Sequence, residues 1–232
     1  MDTIAQTRPT RPGWPEVLLG GLVYLATFGV VAVVLPRVGD PALSGIVGLF
    51  VSGAMGLAAF AIAAVIRIRG LTAFGIRRAK PSHLLTGAGL GVASYVIGTV
   101  LSVGFILLTG FSENVQSSYQ AGAAAGALGL VLSIVAGAMI TPLGEEAFFR
   151  GVLANALLGT MKPWLAILLS ATIFALAHGI NPVLPTAFVV GVASGFLFHR
   201  SGSLWPSVIL HGFNNLTALL VPLAAAQLIS TT

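Results

Sequence analysis

Long uninterrupted runs of apolar residues, separated by short polar breaks, dominate the chain. Runs near residues 17–35, 44–66, 84–109, 121–141, 164–180, 183–198 and 204–228 approach the roughly 20 residues that a helix needs to cross a hydrocarbon core about 30 Å thick. An all-α, polytopic transmembrane bundle of seven or eight spans is therefore expected, built as one integral membrane domain over residues 1–232. The first run follows Arg8 and Arg11 as a signal peptide would. Its length and the lack of a small-x-small site before Pro36 predict an uncleaved first span instead.

The fourth run poses a problem of length. A single helix from Ala121 to Gly159 would extend about 58 Å at ~1.5 Å per residue, so Pro142 and Gly144 are expected to kink or break it. The outcome is seven spans with one long bent helix, or eight with residues 145–159 as a short span.

Composition sharpens this picture. The chain is 56% hydrophobic and 7% charged, with mean hydropathy +1.00, too apolar to coat a soluble globule. It has no cysteine, which excludes disulfides and thiolate chemistry and leaves the redox compartment unread. The net charge of +5 is spread between the apolar runs and reads as topology, with no nucleic-acid partner. Arg8 and Arg11 at the amino terminus, and Arg67, Arg69, Arg77, Arg78 and Lys80 after the second run, contrast with residues 110–120, which carry Glu113 and no base. By the positive-inside bias the amino terminus is expected in the cytoplasm, with the protein multi-pass in a bacterial plasma membrane. Gly87 and Gly91, four apart, and the stretch AGAAAGALG predict close helix packing in lipid.

Against this background the stretch TPLGEEAFFRG, Thr141 to Gly151, is conspicuous. Each ionisable group in the hydrocarbon costs at least about 2.5–3.5 kcal/mol on insertion scales, so it needs a partner or a task. Glu146 and Arg150, one turn apart, are expected to pair, either as a structural staple or as part of the chemistry. Glu145 points about 100° away and has no local basic partner. Later polar groups supply one. The turn at residues 159–163 makes positions 145 and 178 equidistant from the hairpin, so Glu145 and His178 are predicted at one depth. His211 and Asn215 share a helix face and can aim at the same place.

A buried glutamate beside an imidazole can deprotonate water, while a second histidine and an amide can stabilise an oxyanion. Glu145, His178 and His211 can alternatively ligate zinc, although no compact His-Glu-x-x-His pattern is present. Two intramembrane aspartates are absent, since Asp2 and Asp40 lie outside the runs, and VASG at Val192 to Gly195 lacks the first glycine of a Gly-x-Ser-Gly site. These features exclude an aspartyl protease and disfavour a rhomboid-like serine protease. Phe148, Phe149 and Phe174 are expected in packing or cavity wall, and His83 and His199 at the interface.

In order, EEAFFR, FALAH (Phe174 to His178) and HGFNN (His211 to Asn215) resemble the Glu-Glu-x-x-x-Arg, Phe-x-x-x-His and His-x-x-x-Asn motifs of the CPBP family. That family comprises the CAAX prenyl proteases and bacteriocin-processing enzymes, also called Abi. The resemblance covers about residues 121–220, and FGIRR is similar to a segment of bacterial members. It implies an intramembrane endopeptidase with Glu145, Glu146, His178, His211 and Asn215 as the catalytic set and Arg150 as ion-pair partner. Glu145 and His178 would activate water, and His211 and Asn215 would serve the oxyanion. A cofactor-free mechanism is favoured over zinc. Implied partners are peptides or protein carboxy termini, some lipid-modified, and membrane lipids. A cavity opening toward the cytoplasm is expected if Glu145 follows a break at Pro142. The competing reading is a non-enzymatic scaffold or immunity protein, or a proton-linked transporter using Glu145 and His178 as a relay.

Overall fold

The computed structural model describes residues 11–68 and 70–230, with the side chain of Ser230 excepted. The topology bases Arg8 and Arg69, and Asp2, lie outside the described residues. Among the described residues eight helices follow one another: α1 Trp14–Val34 with a 3₁₀ extension Leu35–Arg37, α2 Pro41–Ile66, α3 Pro81–Thr109, a short α4 Ser117–Ala124, α5 Gly126–Leu158, α6 Pro163–Leu176, α7 Val183–Ser201 and α8 Trp205–Ser230, with a 3₁₀ turn at Leu71–Phe74 between α2 and α3. No strand occurs among the described residues. Six of these helices are long and apolar enough to cross a membrane: α1, α2, α3, α5, α7 and α8.

The starts and stops follow local chemistry. Asp40 caps α2 by accepting from Leu43 N at 2.7 Å, and prolines occupy the first positions of α2, α3 and α6, where their missing N–H costs nothing. Gly126, at φ +82°, turns the chain from α4 into α5 in a conformation that a Cβ disfavours. Large apolar side chains such as Leu85, Leu107 and Leu108 are exposed on the outside of the bundle, as a lipid-facing surface requires.

Two expectations are corrected. The predicted span at 164–180 is the 14-residue helix α6, which ends before His178. At about 21 Å it falls short of the bilayer core, and the chain turns at residues 177–182. Of the two outcomes expected at Pro142, a kink or a break, the break does not occur. The chain breaks earlier, at Ala125 and Gly126, and α5 then runs 33 residues, about 50 Å. Wider π turns at Val135–Ile140 and Ala147–Ala154 flank the proline. These turns change the ladder register around Pro142, which relieves the clash that would otherwise end the helix.

Small residues set how closely the helices cross. A Cβ on Gly144 of α5 would lie 1.9 Å from Gly53 O of α2, and one on Gly56 2.3 Å from Gly144 O. Backbone therefore meets backbone where α2 crosses the Glu helix, as small-xxx-small packing allows. On α3, Gly87 and Gly91 face Pro206 O and Leu210 O of α8 at 2.5 and 2.3 Å from the would-be Cβ atoms, the close contact that their spacing predicts.

Polar clasps join the ends. Buried Glu16 accepts from Arg67 Nε at 2.8 Å and Arg67 Nη2 at 2.7 Å, and from Gly13 N at 2.8 Å, tying the start of α1 to the end of α2. The FGIRR segment locks the α2–α3 connection onto the α7–α8 turn: Leu204 N donates to Gly75 O at 2.8 Å, Arg77 Nε to Gly202 O at 2.5 Å and Ser203 Oγ to Arg77 O at 2.7 Å. This clasp sets where α8, and with it His211, begins.

Candidate active site

The two glutamates lie near the middle of α5, between its π turns, and both are buried. Their adjacent positions send them to different partners. Glu146, fully buried, meets Arg150 Nε at 3.1 Å, one turn along α5. Its other oxygen contacts His211 Nδ1 from α8 at 3.0 Å. Arg150 is buried too, with both Nη atoms lacking hydrogen-bond partners, and its guanidinium lies 4.3 Å over the Phe174 ring, a cation–π contact.

Glu145 faces a cavity of about 820 Å³. Ser52 Oγ on α2 donates to its Oε1 at 2.6 Å, while Oε2 has no hydrogen-bond partner. Facing Oε2 at 3.9 Å each are His178 Nε2 and His211 Nε2. That separation exceeds a direct hydrogen bond and suits one bridging water.

The far sides of the imidazoles identify their tautomers. His178 Nδ1 lies 2.9 Å from Phe174 O, and a carbonyl only accepts, so Nδ1 carries the hydrogen and Nε2 is left to face Glu145. His211 Nδ1 donates in the same way to the Glu146 carboxylate. Phe174 sits between the two rings, edge-on to His178 at 4.8 Å and to His211 at 5.6 Å between centroids. Asn215, one turn beyond His211, donates from Nδ2 to Gly137 O at 2.9 Å and accepts from Asn214 Nδ2 at 3.1 Å. Its second amide hydrogen has no such engagement.

The geometry thus joins Glu145, His178, His211 and Asn215 around one cavity. Three further placements complete the picture. Glu146 does not line the cavity, because Arg150 and His211 hold it behind the imidazole. Phe174 is likewise no cavity wall: it is a buried platform under both rings and the guanidinium. Phe148 and Phe149 join the same buried aromatic cluster with Tyr24. Ser52 went unrecognised in the sequence. A serine in an apolar run carries no signal of its own, and only the crossing at Gly53 and Gly56 brings it to Glu145.

Among the described residues no group of three or more His, Cys, Asp or Glu forms a metal-holding cluster. Glu145 Oε2 lies 3.9 Å from each imidazole Nε2, wider than the roughly 3.4 Å edge of a tetrahedron with ~2.0–2.1 Å bonds to zinc.

Residues 126–217 match the family model described as type II CAAX prenyl endopeptidase Rce1-like. That segment is similar to this family. The match agrees with the CPBP resemblance carried by the three motifs, and it begins at the first residue of α5 and contains Glu145, Glu146, Arg150, His178, His211 and Asn215. Ser52 lies outside the Rce1-like segment, on a helix that packs against it. No curated protein and no solved structure matches the chain.

Proposed function

We propose that this protein is an intramembrane endopeptidase that hydrolyses peptide bonds through a glutamate-activated water. The observation that carries the reading is the free Oε2 of buried Glu145, set 3.9 Å from two imidazole Nε2 atoms in a large cavity. In the proposed reaction a water between these three atoms gives a proton to Glu145 as its oxygen attacks the peptide carbonyl. Breakdown of the tetrahedral adduct breaks the C–N bond, and the proton passes from Glu145 to the departing amine. The products are a carboxylic acid, which keeps the second proton of the water, and an amine, with no covalent intermediate.

His178, with its hydrogen on Nδ1, presents Nε2 as an acceptor that orients the water. Asn215 offers its free amide hydrogen to the oxyanion. His211 can donate from Nε2 only when both ring nitrogens carry hydrogen, and Glu146 at 3.0 Å is the counter-ion for that form. Glu146 is thereby a positioning residue, and Arg150 supplies its second compensating charge. Protonated His211 would also balance the cluster, two carboxylates against two cations, which limits the cost of burial.

The substrate class is a membrane-associated peptide or a protein carboxy terminus, lipid-modified substrates included. The reading places the protein in a bacterial plasma membrane, and the distribution of bases supports a cytoplasmic amino terminus.

The test is cleavage of a quenched fluorescent peptide library, prenylated members included, by detergent-purified protein and its Glu145→Ala and His178→Ala variants, with and without chelator. Activity lost in both variants and retained with chelator is expected. Activity abolished by chelator and restored by zinc would replace the glutamate–water mechanism with metal chemistry, and cleavage persisting in both variants would overturn the site.

A further inference from the structure

The cavity has one polar end, and the helix order tells which end of the bundle it is. Arg11, Arg67, Arg77, Arg78, Lys80, Lys162 and Arg200 belong to the start of α1, the α2–α3 connection, the α5–α6 turn and the last turn of α7. Alternation of helix direction puts all of these at a single end. Among the described residues only Arg37 and Asp40, after α1, and Glu113, after α3, fall at the other.

The cavity extends to that second end. Its lining includes Glu113, Asn114 and Gln116 from the α3–α4 connection and Tyr119 and Gln120 from α4, all beyond the carboxy terminus of α3. From there it runs past Thr99 and Ser102 of α3 to Glu145 and the histidines. On the basic side of the glutamates Phe74, Phe149, Val152, Leu204 and Leu210 are buried side chains, as is Arg150, and the FGIRR clasp ties together the connections beneath them. The sequence reading of a cytoplasmic opening depended on a break at Pro142, and α5 has none.

We propose that the catalytic cavity admits its substrate from the membrane face opposite the basic loops, so that the polypeptide cleaved is presented from the extracytoplasmic side. The occupant is an extended peptide segment. Backbone amides in that segment meet the hydroxyl and amide groups of Thr99, Ser102, Asn114 and Tyr119, and its side chains meet Val103, Ile106 and Leu219 on the same walls. A prenylated tail presented in the cytosol would meet the basic end, where those side chains are buried. This inference rests on the endopeptidase reading for the word substrate, whereas the opening itself is a property of the bundle.

The absence of native cysteine permits a direct test on the full chain. Single variants Glu113→Cys at the mouth, Thr99→Cys within the cavity and Lys162→Cys at the basic end are expressed in bacterial cells and treated with a membrane-impermeant maleimide. Glu113→Cys and Thr99→Cys are expected to label as fully in intact cells as in permeabilised ones, and Lys162→Cys only after permeabilisation. Labelling of Lys162→Cys in intact cells, or of Thr99→Cys only after permeabilisation, overturns the proposal. A peptide cut by the purified protein is then offered to sealed right-side-out and inside-out vesicles. Cleavage confined to right-side-out vesicles is expected, and cleavage confined to inside-out vesicles overturns the proposal. Failure of purified protein to cut any peptide would remove the endopeptidase reading and leave the labelling result standing for the cavity.

Discussion

Replacing Ser52 by alanine removes one oxygen and little else. The Cβ remains, so the crossing of α2 over α5 at Gly53 and Gly56 need not repack, and the loss is confined to the 2.6 Å bond onto Glu145 Oε1. A hydrogen bond to a charged group contributes about 1.5–3 kcal/mol net, and a tenfold rate change corresponds to ~1.4 kcal/mol. If that bond holds Oε2 toward the water throughout the reaction, kcat/KM should fall about 10- to 150-fold, mostly in kcat. Ser52→Thr keeps the hydroxyl and should recover much of the rate. The control is Ser133→Ala, on the same cavity, whose Oγ is buried without a hydrogen-bond partner and should be dispensable. The assay is peptide cleavage in detergent, with thermal unfolding of each variant to confirm an intact bundle. A Ser52→Ala protein with wild-type kcat/KM, or an equal fall in Ser133→Ala, would refute the argument that Ser52 aims the reacting carboxylate.

Other changes probe the supports around that carboxylate. Arg150→Met strips a fully buried Glu146 of its guanidinium and should cost about 3–5 kcal/mol, read as a lowered Tm in detergent, with partial recovery in the Arg150→Met, Glu146→Gln double variant. Gly144→Ala drives a Cβ into Gly53 O and should destabilise by about 1–3 kcal/mol, whereas Gly104→Ala, with open space around it, should leave Tm unchanged. Asn215→Leu removes the amide offered to the oxyanion and should lower kcat about 10²- to 10³-fold with little change in KM, measured with a cleaved peptide. Phe174→Ala withdraws the ring beneath both imidazoles and the guanidinium and should cost about 3–5 kcal/mol, visible in Tm before any loss of activity is interpreted.

Much of the site was legible before the fold because hydrocarbon penalises polarity. Glu145, Glu146, Arg150, His178, His211 and Asn215 stand out in apolar runs where a charge or amide is expensive. Helix periodicity alone paired Glu146 with Arg150 and placed His211 and Asn215 on one face. The hairpin count put His178 level with Glu145, and the two meet at 3.9 Å. Ser52 had no such contrast, and neither did Phe174's position between two imidazoles. Both depend on helices far apart in sequence.

Hydropathy and small-residue spacing therefore determined the helical membrane bundle, its approximate helix limits and that α3 would pack closely against another helix, because these follow from local chain chemistry and the cost of polar groups in lipid. Tertiary structure alone decided the rest. It carried α5 unbroken through Pro142 by way of π turns, shortened α6, and set Glu146 behind His211 instead of in the cavity. It also buried apolar side chains toward the basic end and extended the cavity to the other. Those outcomes arise where backbones from distant helices touch, at Gly53, Gly56 and Gly144, and no one-dimensional pattern records which helix will supply the neighbour.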